Sequence, residues 1–192
     1  GYIFNGCSAV TRVPQFDYSS GTNLSNGFGY MGLTEVPDLN LESATNLQYL
    51  FQYDSDLVTV GNLNTPKLTS TSSIFNKCDK LEKIASIDVQ SVTDTSSMFS
   101  WYDAKVLKYV VFKNLGQSSA TSWSFTSLIH WGVNDDTYPD AKQSLIDSLI
   151  TYSYDRASAG KSVCTITLSA ETKAQLTDDE ITQIATKGYT IA

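Results

Sequence analysis

The stretch "IFNKCDKL", residues 74–81, has a near twin at residues 3–10, "IFNGCSAV". Ile, Phe, Asn and Cys recur in order, an apolar residue closes both, and 71 residues separate them. Working outward, residues 33–56, 57–80 and 81–104 are successive units of 24 residues, and 10–32 is a unit one residue shorter. After two extra residues, Lys105 and Val106, a further unit starts at Leu107. The twins therefore occupy one position of a repeat, three units apart, and a period in this range marks a repeat architecture.

The columns fix the register. Units open on Val10, Leu33, Leu57, Leu81 and Leu107, and three residues later stand Val13, Val36, Val60, Ile84 and Val110. Six residues on come Phe16, Leu39, Leu63, Ile87 and Lys113, the last breaking the rule beside Phe112. Eighteen on, all five units have phenylalanine: Phe28, Phe51, Phe75, Phe99 and Phe125. The first part of each unit reads as a strand from its Val, Ile and Thr content. Such a unit cannot bury its apolar face alone, and stacking on its own copies supplies one continuous core. The expectation is an α/β fold: a leucine-rich-repeat-like right-handed solenoid with a parallel sheet, about five coils over residues 1–130, starting mid-repeat. The period of 24 falls within the ~20–29 residues of leucine-rich repeats.

Two polar columns accompany the apolar ones. Asp17, Asn40, Asn64, Asp88 and Asn114 stand seven residues into each unit and read as a structural ladder, satisfying backbone groups that the turn leaves unpaired. Thr22, Thr45, Thr69, Thr93 and Ser119 stand twelve in, where a hydroxyl can cap a brief helical turn.

The stretches "VTDTSSMFSWYDA", "LTSTSSIFNKCDKL" and "LTEVPDLN" resemble the BspA-like leucine-rich repeats of bacterial surface proteins, over about residues 2–130. The resemblance implies display at the cell surface or secretion, and adhesion or binding of host proteins. It implies no catalytic residue and no cofactor. Similar repeats occur in phage and prophage proteins of gut bacteria, so a structural or receptor-binding part of a phage virion is the alternative.

The period stops after "HWGVNDDTYPD". Residues 131–192 read as a small α/β C-terminal capping module of order α-β-α-α-β. "DAKQSLIDSLITYSYDR" carries Ala141, Leu145, Leu149 and Tyr152 at helical spacing, "SVCTITLS" alternates as a strand, and "YTIA" suits a last strand. Thr177 and Glu180 have capping-box spacing, and Gly188 suits the following helix C-terminus. Such a module closes the apolar face and unpaired edge that the last coil would expose.

A net charge of −7 argues against nucleic acid and anionic membrane surfaces, which call for basic patches. No apolar run approaches a membrane span, so direct membrane insertion is not expected. Because the chain begins inside a repeat, residue 1 reads as a cut point rather than a natural start. No nucleophile–base pair or paired carboxylates stand out, so the chain reads as no enzyme. His130, the single histidine, reads as packing or hydrogen bonding, and "NDDTYPD" as a turn with a helix cap rather than a Ca²⁺ site. "AGKS", 159–162, lacks the first glycine of a phosphate loop, with Asp155 in its place.

Trp101, Tyr102, Tyr109 and Trp123 fall around the unit that carries the insertion. Flat aromatic surface can stack on sugars or anchor a protein. The expected partner is therefore a protein, on a host or neighbouring cell, or a glycan, bound by a monomer. Cys7 and Cys78 share a column with Met31, Asp54, Tyr102 and Leu128, three strand spacings apart, about 14 Å. That distance forbids a disulfide, and Cys164 lies in the tail, so three free thiols are expected, the first two as small apolar fillers.

Overall fold

A computed structural model describes residues 2–94, 98–99 and 106–192. Its first sheet contains β1 (Glu35–Val36), β2 (Leu39–Asn40), β3 (Thr59–Asn64), β4 (Lys83–Asp88) and β5 (Tyr109–Lys113). All pairings are parallel, and those among β1 to β4 keep the repeat register: Val36 faces Val60, Leu39 faces Leu63, and Val60 faces Ile84. The second sheet joins β6 (Ser122–Phe125), β7 (Cys164–Leu168) and β8 (Tyr189–Ile191), also in parallel. The fold is mixed α/β with two parallel sheets, and neither closes into a barrel.

The five phenylalanines of the repeat are buried, and Phe28, Phe51, Phe75 and Phe99 stack ring on ring at 5.7–5.8 Å. Phe4 extends the stack, 6.0 Å from Phe28. In the column six residues in, Phe16 is 65% exposed, because its ring meets only Phe4 and Tyr18 on one side. Lys113 is absent from that column for a physical reason. A bulge between Ile84 and Ile87 brings Phe112 opposite Ile87, so the two-residue insertion ends with Phe112 in the core.

Among the described residues, the backs of the repeats are made of tight turns rather than helix. Asn26, Tyr49 and Ser73 have φ of 54–60°, and Tyr30, Tyr53 and Lys77 have φ of 58–64°. Alternating left-handed residues aim every second N–H along the array, as in Phe51 N–H to Ile74 O and Tyr53 N–H to Asn76 O. Consequently the threonine column caps no helix. The hydroxyls of Thr45 and Thr93 donate to the carbonyls of Thr22 and Thr69 in the preceding repeat, at 3.2 and 3.4 Å. The local caps come from the next column, where Asn23, Asn46 and Ser70 accept N–H groups two residues ahead.

C-terminal to β6, the order is α1 (Ala141–Ile146), a π-helical turn (Asp147–Thr151), β7, α2 (Ala170–Lys173), α3 (Asp178–Thr186) and β8. Ala141, Leu145 and Leu149 pack inward, whereas Tyr152 is exposed because the π turn rotates the chain before it. Asp140 occupies the N-cap without a side-chain bond, and Asn134 reaches the N–H of Lys142 instead, at 2.7 Å. The Thr177–Glu180 capping box forms, with bonds of 3.2 and 2.7 Å. Ser148 of the π turn covers β5: it accepts the N–H of Phe112 at 2.9 Å and donates to Val110 O.

The turn after β5 is riveted by buried cations and a phenol. Arg156, nearly fully buried, donates from Nε to Ser162 O at 2.9 Å and from Nη1 to Gly116 O at 2.5 Å. Tyr189 donates to Leu115 O and Tyr154 O, and burial raises its pKa. Gly116, at φ 79°, is required there, since an added Cβ would stand 2.3 Å from that phenol oxygen.

Candidate functional site

The outer face of the first sheet carries a trough of about 510 Å³ that runs from repeat to repeat. Its floor is low because the strand positions there hold Pro37, Gly61 and Ala85. Gly61 admits no side chain: a Cβ would lie 2.5 Å from Asp38 Oδ1 and 2.6 Å from Asp38 N. One wall is a charged row, Arg12, Glu35, Thr59 and Lys83, one residue per repeat. None of its three charged groups forms an ion pair among the described residues, and Lys83 Nζ lies 4.5 Å from the centre of the Tyr109 ring. Beside the trough's lining, Asp38, Asn62 and Ser86 form a rail of mutual bonds, each one position after a floor residue. Asp38 Oδ1 accepts the Asn62 N–H at 2.7 Å, and Ser86 donates to Asn62 Oδ1 at 2.7 Å. Those bonds from Asn62 hold the Asp38 carboxyl below its ordinary pKa.

The aromatic candidates separate. Trp101 and Tyr102 lie outside the described residues. Tyr109 stands at the end of the charged row, half-buried under Lys83. Trp123 is 2% exposed, stacked on Phe125 at 5.9 Å, and so packs rather than presenting its ring. Its Nε1–H has no hydrogen-bond partner among the described residues. An orphaned buried donor destabilises, so Trp123→Phe is expected to leave the melting temperature unchanged or raise it, despite the smaller ring. A drop equivalent to more than about 2 kcal/mol in urea denaturation would contradict this.

The ladder residues bond one another as well as the backbone. Asn64 donates to Asn40 Oδ1 at 2.8 Å and Asn114 to Asp88 Oδ2 at 3.0 Å. Asp17 and Asp88 also accept N–H groups of Ser19 and Gln90, both at 2.9 Å, which is the turn bonding expected of the column. His130 is exposed, and its neighbour Trp131 does the packing, with Nε1 donating to Val110 O at 3.0 Å. In the acidic turn Asp135 accepts the N–H groups of Thr137 and Tyr138 and pairs with Lys108, which together hold its carboxyl low. Lys161 of "AGKS" donates to Gln117 O. Among the described residues no disulfide joins the three cysteines; Cys78 is a buried filler whose Sγ meets Phe51 O at 3.1 Å, but Cys7 is exposed.

Two features escaped the sequence reading. Exposed Tyr30 and Tyr53, successive residues of one column, stack at 4.6 Å. Asp54, in the cysteine column, is fully buried. Its Oδ1 accepts from Met31, Gly32 and Leu33 at 2.9, 3.2 and 3.5 Å, and its Oδ2 has no partner among the described residues. Burial pushes its pKa up to about 7. The missing residue of the first unit was its signal. In full-length units the opening N–H bonds three residues back, Leu57 to Asp54 O and Leu81 to Cys78 O. The shortened loop denies Leu33 that bond, and Asp54 supplies the acceptor.

The family described as "Mycoplasma protein of unknown function, DUF285" has a model that matches residues 2–115. No curated protein matches the chain, and no solved structure does.

Proposed function

This chain belongs to the family described as "Mycoplasma protein of unknown function, DUF285", and on that premise we propose that it is a BspA-like leucine-rich-repeat solenoid serving as a non-catalytic binding protein. Residues 131–192 close the array as its cap. The protein works at the cell surface or in secreted form, in adhesion or protein–protein interaction. The observation that carries the reading is the sheet face of the array: parallel strands one repeat apart leave a polar-walled trough of about 510 Å³ open across several units. Extended surfaces built by stacking are how repeat proteins take extended partners.

The exposed Tyr30–Tyr53 stack favours glycan binding as a second reading, since aromatic faces pack on sugar rings. Two measurements separate the readings. Protease treatment of intact producing cells is expected to release peptides of this protein; recovery only after lysis counts against surface display. The purified protein is then applied to an array of extracellular proteins and an array of glycans. Capture by proteins supports the first reading, and capture by glycans that Tyr30→Ala abolishes supports the second. Binding to neither array overturns both.

A further inference from the structure

Resting on that reading, we propose that the trough on the sheet face takes an extended peptide segment bearing acidic, basic and acidic side chains at alternate positions. The spacing comes from the array itself. Neighbouring parallel strands stand about 4.8 Å apart, so Arg12 and Lys83, three repeats apart, present two cations about 14 Å from each other. Glu35 stands one repeat from Arg12, about 5 Å along the row. An extended peptide advances about 3.4 Å per residue and turns every second side chain to the same side, about 7 Å apart. Three successive same-side chains therefore span the 14 Å between the cations. The first meets Arg12, the third meets Lys83, and the middle one falls between Glu35 and Thr59.

The charges of that wall are available, since Arg12, Glu35 and Lys83 have no ion-pair partner among the described residues. The polar rail beside the trough is not in competition, because Asp38, Asn62 and Ser86 already bond one another. Pro37, Gly61 and Ala85 raise no long side chain from the floor on which a main chain would lie. The alternation of sign selects the partner. A uniformly anionic polymer would meet Glu35 and Asp38, a uniformly cationic one would meet Arg12 and Lys83, and a neutral sugar would desolvate three charges without pairing them.

The test is fluorescence anisotropy with the full chain and a labelled peptide, Gly-Ser-Asp-Thr-Lys-Thr-Asp-Ser-Gly, at low salt. Two controls are the same composition with the charges contiguous and the charge-reversed Lys-Thr-Asp-Thr-Lys sequence. The alternating acidic–basic–acidic peptide is expected to bind about tenfold more tightly than either control and to weaken as salt is added. Arg12→Ala and Lys83→Ala should each weaken it severalfold, and Glu35→Lys should shift the preference to a peptide with aspartate at all three positions. These side chains lie on the surface, so the variants fold, as circular dichroism would verify. Equal binding of the contiguous control, an unchanged preference in Glu35→Lys, or no binding of any peptide overturns the proposal. If that happens while the protein array still captures the chain, the occupant is wrong and the binding function stands.

Discussion

Phe75→Ala is expected to destabilise the protein by ~3–5 kcal/mol, the usual range for a core phenylalanine. The ring is fully buried and lies between Phe51 and Phe99, at 5.7 and 5.8 Å with planes 11° and 10° from parallel. Alanine leaves a cavity inside a column rather than at its end, so two interfaces between repeats are weakened together. Urea denaturation at pH 7 measures the loss. The same change at Phe16, exposed at 65%, should cost less than about 1 kcal/mol. A small loss at Phe75, or an equal loss at Phe16, would refute the stacked core.

The second large effect concerns Asp54 and pH. Its carboxyl has an ordinary pKa of 3.8 and is pushed up to about 7 in the folded chain, first by burial, with the bonds from Met31 and Leu33 opposing. Between those two values the folded state keeps a proton that the unfolded state has lost. Stability from this group is therefore complete below about pH 4, falls as pH rises, and is lost above about pH 7. At about 1.4 kcal/mol per pH unit the window is worth about 4 kcal/mol. Asp54→Asn keeps an oxygen for the three N–H groups and carries no charge, so its stability should lack this slope. It should match the native chain near pH 4 and exceed it at pH 8. Carboxyls held low, such as Asp38, Asp135 and Glu180, stabilise in the opposite sense at lower pH and are common to both proteins. Parallel pH profiles for the two would refute the assignment. A further variant tests its cause: one residue inserted between Gly32 and Leu33 restores the full-length loop, after which Asp54→Cys should be tolerated.

Much of the architecture was legible because each repeat carries the same pattern. The valine column and the phenylalanine column are buried in every unit, and strand partners follow the period, as with Val36, Val60 and Ile84. Local chemistry at the tail was legible too, since the Thr177–Glu180 box depends only on residues three apart. The site was less so. A search for aromatic anchors passes over Arg12, Glu35 and Lys83, whose charges look like ordinary surface until the stacking places them in one row. It also takes Trp123 for an anchor, where its place in β6, opposite Ile166 of β7, buries it.

The sequence by itself determined the period, the register and the residues of the core, because identical units can bury their apolar columns only against one another. What only the tertiary structure decided lies wherever the repeat departs from itself. The two extra residues before Leu107 could not say that a bulge would return Phe112 to the column. The missing residue after Gly32 could not say that a carboxylate from the next repeat would answer for the bond it removes. A period specifies what is alike; an insertion or deletion leaves backbone donors and a ring without their usual partners. Which group then satisfies them depends on distances across the stack, and these exist only once the chain has folded.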